Sequence, residues 1–62
     1  MIGDIIDKMI EEKMDYKEYK EMAEEVEDEE IKEMLNTIAN QEHNHYKMLK
    51  EWMMRLVNEK EE

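Results

Sequence analysis

A carboxylate and an imidazole one helical turn apart on the same face can bind a cation, and the run Glu42-His43-Asn44-His45 holds Glu42 and His45 in that relation. In a chain this rich in glutamate, such a pair arises often by chance. Its setting makes it informative: Glu42 and His45 interrupt an otherwise apolar helical stripe, and one further residue, Glu12, interrupts the other stripe of the chain. A carboxylate in a helix seam is costly unless it is paired, protonated or bound to metal. Three polar groups held in that position therefore point to metal ligation.

Two helices must position them. The first stripe runs Ile2, Ile5, Met9, Glu12, Tyr16, Tyr19, Ala23, Val26, and the second Ile31, Leu35, Ile38, Glu42, His45, Leu49, Trp52, Leu56. Steps alternating between three and four mark helices packed nearly parallel or antiparallel. Ile6, Ile10, Met22, Met34, Met48 and Met53 widen the stripes, which implies more than one neighbour for each helix. Between the stripes lies Glu27-Asp28-Glu29-Glu30, where Asp28 reads as an N-cap with two acidic residues at the positive end of the next helix. The spacing predicts helix 1 over about 2–26, helix 2 over about 29–59, and a fraying tail from Glu59 to Glu62. One uninterrupted helix is disfavoured, because continuing the first stripe would put Glu30 and Glu33 in the seam. Pairs four apart, Asp4/Lys8, Lys17/Glu21 and Glu51/Arg55, read as helix support on solvent faces.

Depth agrees with spacing. If the chain turns at Asp28, Glu12 lies about 24 Å before the turn, and Glu42 and His45 about 21 and 25 Å after it. All three can point at one level of an antiparallel hairpin. One hairpin offers two carboxylates and one imidazole, too few to enclose two metal ions. Two hairpins related by a two-fold axis supply four Glu and two His, the donor set of dinuclear carboxylate proteins built in four-helix bundles. Oxygen-rich ligands with one His per metal suit iron or manganese, and zinc could occupy the same positions without redox chemistry. The plain alternative is a helical dimer whose polar layer only fixes register.

The composition sets the frame. With 62 residues, no Cys, no Pro and one Gly, the chain is one small all-α unit spanning 1–62 that disulfides cannot stabilise, which leaves metal and oligomerisation. A formal net charge of −10 disfavours nucleic acid and anionic membranes as partners. No apolar run is long enough to span a membrane and no signal-peptide pattern opens the chain, so a cytoplasmic location is the default. Among the remaining candidates, His43 reads as a surface residue and the eight Met as core filler. Glu11 and Asp15 read as a solvated acidic flank. Tyr16 and Tyr19 are seam residues, one of whose hydroxyls would hydrogen-bond a ligand carboxylate. Trp52 reads as packing.

The stretch from Glu12 to Trp52 resembles the ferritin-like superfamily. The run from Tyr19 to Leu35, followed by Ile38-Ala39-Asn40-Gln41-Glu42-His43-Asn44-His45, is similar to rubrerythrin-type helix pairs and, within that group, most similar to encapsulated ferritins. Those proteins carry one helix pair per chain, and their first-helix Glu, Glu-x-x-His and Trp seven residues after the His fall on Glu12, Glu42, His45 and Trp52. The resemblance implies a ferritin-like four-helix bundle formed by a homodimer or higher homo-oligomer. It implies a di-iron ferroxidase centre between subunits, with Glu12 and His45 on each iron and Glu42 bridging. Peroxide reduction at the same centre is the rival activity. Tyr19 matches the aromatic residue that follows the family's first Glu. Glu11 matches one of two acidic residues used for metal entry, and Met14 stands at the other. The resemblance also implies an encapsulin-type shell as partner and a nanocompartment as location, although that group's C-terminal helix and targeting peptide have no counterpart after Glu62, and the rubredoxin-like Cys sites of full rubrerythrins are missing.

Overall fold

The computed structural model describes residues 1–61, which form two helices and no strand: α1, Ile2–Glu25, and α2, Glu29–Glu61. α2 continues past the expected end near 59, and the part of the frayed-tail expectation that concerns Glu62 lies outside the described residues. The break between the helices needs no glycine. Val26 ends α1 in an extended conformation, φ −82° and ψ 133°, its N–H still bonded to the Met22 carbonyl. Among the described residues none takes a positive φ. Asp28 then opens α2 as the sequence suggests: its Oδ1 accepts from the N–H groups of Glu30 at 2.9 Å and Ile31 at 3.2 Å. Two of the four orphan donors at the helix start are thereby satisfied, worth about 1 kcal/mol.

The helices pack as an antiparallel hairpin with Cα extents of 52 × 14 × 11 Å, α2 being nine residues longer than α1. That is one helix thick. Among the described residues only Ile5, Met9, Ala23 and Ala39 are buried. A bridge from the Lys20 ammonium to Asn36 Oδ1, 2.9 Å, ties the helices together near the turn.

The inner face of α2 differs from the expected stripe. Ala39 is fully buried, and Leu35, Tyr46, Leu49, Met53 and Leu56 are half-buried, whereas Ile31 and Trp52 are exposed at 47% and 56%. The apolar arc of α2 is wide enough to serve two neighbours. The small Ala39 takes the most buried position of α2, Ile38 is half-buried as expected, and the bulkier Ile31 and Trp52 fall on the flank. Among the predicted support pairs only Arg55–Glu51 forms, at 3.3 Å. Lys8 turns instead to Glu11 at 3.2 Å, Asp4 to the N-terminal ammonium at 3.8 Å, and Lys17 makes no ion pair among the described residues. Three and four residues are equivalent reaches on a helix surface, so sequence spacing does not choose between them.

Candidate metal centre

Glu12 comes from the middle of α1, Glu42 and His45 from one turn of α2, and antiparallel packing brings them to one level. One donor atom from each lies within 4.8 Å of the other two. His45 Nδ1 stands 3.4 Å from Glu12 Oε2, yet the approach is not a hydrogen bond: Glu12 Oε2 is buried and has no hydrogen-bond partner. The Glu12 side chain is 20% exposed and the imidazole 54%. One oxygen sealed from water without a donor is costly, and a cation shared with His45 removes that cost. Two carboxylates and an imidazole fit a hard to borderline divalent ion such as iron or manganese.

Glu42 carries the electrostatic signature. Its carboxyl is held above the ordinary value of 4.5, first because the neighbouring Glu12 carboxyl favours a proton between the two groups, then through desolvation and the Glu12 charge. The His45 charge and a contact with Asp15 pull the other way. Two carboxylates this close do not both ionise freely, and a divalent cation relieves the conflict.

The surrounding residues divide differently from the expectation. Asp15, expected on a solvated flank, is half-buried and within reach of Glu42. It lies one turn after Glu12 on α1, and that spacing was the available signal. Glu11 is exposed and paired with Lys8, outside the three-residue cluster. Tyr16 and Tyr19 are both half-buried, but among the described residues neither hydroxyl bonds a ligand carboxylate. The Tyr16 ring lies against His43, centroids 5.3 Å apart. His43 is exposed, as expected, and also stacks on Tyr46 at 6.4 Å.

The centre is open on one side. A groove of about 650 Å³ runs beside it, lined by Glu12, His45, Met48, Leu49 and Trp52, with Lys8, Glu51 and Arg55 at its rim. Met48 and Trp52 are 67% and 56% exposed, so the half-site sits within an uncovered apolar face. No helix among the described residues is long and apolar enough to cross a membrane.

A protein-family model described as Rubrerythrin matches residues 6–62. Comparison with curated proteins and with solved structures returns no match.

Proposed function

The chain belongs to the rubrerythrin family of ferritin-like proteins, whose domains bind iron, and on that footing we propose that two copies close over a shared di-iron centre that oxidises Fe(II) with oxygen, serving iron storage or detoxification. The observation that carries this reading is the unpartnered Glu12 Oε2, buried beside Glu42 and His45 on the uncovered face of the hairpin. Ligand number supports the dimer: one hairpin supplies three donors, and two supply the four carboxylates and two imidazoles that a dinuclear centre uses. So does packing, because a second copy laid on the groove would cover Met48 and Trp52 and convert two one-layer hairpins into a four-helix bundle. Residence in an encapsulin-type shell is compatible with the family and belongs to the same proposal.

Each residue has a distinct task. Glu12 and His45 would hold one ion per subunit, and Glu42, within 4.8 Å of both, would be the carboxylate shared with the second ion. The raised affinity of Glu42 for a proton means that protons compete with a cation for this carboxylate. With the groove covered by a second copy, the apolar walls of Leu49 and Trp52 would keep bulk water from the donors. Fe(II) is the substrate: two ions give one electron each to oxygen, which takes up two protons and leaves as hydrogen peroxide.

Anaerobic protein loaded with Fe(II) and then exposed to air is expected to develop a near-ultraviolet ferric-oxo band that Glu42→Ala loses, with sedimentation showing at least a dimer. No iron uptake, or equal oxidation by Glu42→Ala, overturns the reading. Faster turnover with peroxide than with oxygen would assign the site to peroxide reduction.

A further inference from the structure

Methionine accounts for eight of the 62 residues, and the fold does not use it chiefly as core. Among the described residues Met9 is buried and Met53 half-buried, whereas Met1, Met14, Met22, Met34, Met48 and Met54 are exposed. The filler expected from the sequence is thus mostly surface. A thioether on the surface is open to oxygen transfer, which turns an apolar side chain into a polar sulfoxide. Position separates one of the six from the rest. Met48 lies one turn after His45 on α2 and, 67% exposed, lines the groove together with Glu12, His45 and Trp52. The other five lie outside that lining.

The groove is also where the proposed reaction releases its product. Among the described residues that line it, Met48 alone carries a group that peroxide oxidises readily by direct oxygen transfer; the others are charged, aliphatic or aromatic. We propose that Met48 is a modification site: its thioether takes up an oxygen atom from peroxide formed at the metal centre beside it, and the sulfoxide loosens the closed groove. The oxidant is the peroxide of the proposed di-iron reaction, on which this site therefore depends. The step balances without another reactant. The sulfur attacks one peroxide oxygen, an S–O bond forms as the O–O bond breaks, and sulfur loses two electrons. The departing hydroxide takes the proton carried by the transferred oxygen and leaves as water.

The consequence follows from where the sulfoxide sits. Closure by a second copy covers Met48 and Trp52, and a two-fold contact contains Met48 twice. A sulfoxide brings a strong hydrogen-bond acceptor into that apolar cover, and leaving such a group unsatisfied opposes burial. Peroxide that accumulates at the centre therefore weakens the assembly that produces it. Oxidation at Met14, Met34 or Met54, outside the groove, does not. Closure also shelters Met48 from peroxide in bulk solvent, so its oxidation reports on the centre and not on the medium.

The test maps methionine oxidation by peptide mass spectrometry on the full chain after repeated cycles of anaerobic Fe(II) loading and air. Catalase in the buffer removes peroxide that reaches bulk solvent. Met48 is expected to be oxidised about tenfold more than Met14, Met34 and Met54, internal references whose exposures of 58%, 65% and 51% are similar to its own. Peroxide added in chelator, without catalase, should instead oxidise the references at least as fast as Met48. In sedimentation, cycled protein should associate about tenfold more weakly than before cycling, and methionine sulfoxide reductase should restore the association. Met48→Leu keeps the volume and removes the sulfur, so its association should be the same before and after the cycles. Oxygen consumed with Met48 intact, Met48 oxidised no more than the references, or Met48→Leu loosening on cycling as wild type does would each overturn the proposal and leave the di-iron reading standing. Failure to consume oxygen would overturn both together.

Discussion

Glu12→Leu makes the sharpest prediction, because it sets stability against metal binding at one atom. In the metal-free protein, Glu12 Oε2 is buried without a hydrogen bond and the side chain is 20% exposed. Leaving a buried polar group unsatisfied costs about 1–3 kcal/mol, and access of the remaining carboxylate to water places Glu12 near the lower end, about 1 kcal/mol. A leucine at the same depth adds about 1 kcal/mol of apolar burial beyond the glutamate methylenes already there. Together the substitution is expected to stabilise the metal-free protein by about 2 kcal/mol, a rise in Tm of about 10 °C for a chain of this size. The assay is thermal unfolding by circular dichroism in chelator, with protein concentration held fixed because association contributes. Anaerobic Fe(II) should then raise the Tm of wild type and leave Glu12→Leu unmoved. Glu12→Gln, which keeps the volume and can donate to Glu42, should gain less. A Glu12→Leu protein that melts at or below wild type in chelator would refute the reasoning, since the carboxylate would then be a stabilising element of the hairpin.

Further outcomes follow from the same geometry. The Glu42 carboxyl is held above 4.5 in the fold, so in metal-free protein its contribution to stability is complete below that value and is lost as pH rises through the raised one; Glu42→Gln should flatten this part of the stability–pH curve measured by denaturant titration. The same proton makes Fe(II) affinity fall as pH drops through that range, checked by anaerobic titration at several pH values. Asp28→Ala removes the cap of α2 and should cost about 1 kcal/mol, a fall in Tm of about 4–8 °C without loss of metal stoichiometry. Trp52→Glu, at a side chain 56% exposed on the hairpin, should disturb the single chain little and disperse the dimer in sedimentation, with Fe(II) oxidation falling alongside.

The hairpin and the level of its polar cluster were legible because both follow from counting. Apolar spacing requires helices, Asp28 has the chemistry of a cap, and a rise of about 1.5 Å per residue brings Glu12 opposite Glu42 and His45. What spacing did not decide was which edge of a wide apolar arc meets which neighbour. Ala39 is buried and Tyr46 half-buried, while Ile31, His45 and Trp52 are exposed, because the most apolar row of a wide arc need not be the row that meets the neighbouring helix. Asp15 was misread for a related reason: a carboxylate among many others looks solvated until the fold half-buries it within reach of Glu42. The pairing of the lysines was equally hidden, since Lys8 reaches Glu11 and Lys17 reaches no carboxylate.

The outward position of His45 and Trp52 bears on why the proposed metal centre and the proposed second copy would belong together. A hairpin with four buried side chains among the described residues has little core with which to offset its conformational entropy, so covering the apolar groove is a large part of what can stabilise it. Covering it with a second copy brings two Glu12 and two Glu42 carboxylates around one axis, where repulsion and desolvation oppose the closure that burial favours. Protonation of Glu42 relieves part of that opposition, and two divalent cations relieve more while satisfying Glu12 Oε2. Metal binding, closure of the groove and folding of the hairpin should therefore be linked equilibria. Adding Fe(II) without oxygen should shift the association equilibrium and the unfolding midpoint together, and a change in one without the other would break the link.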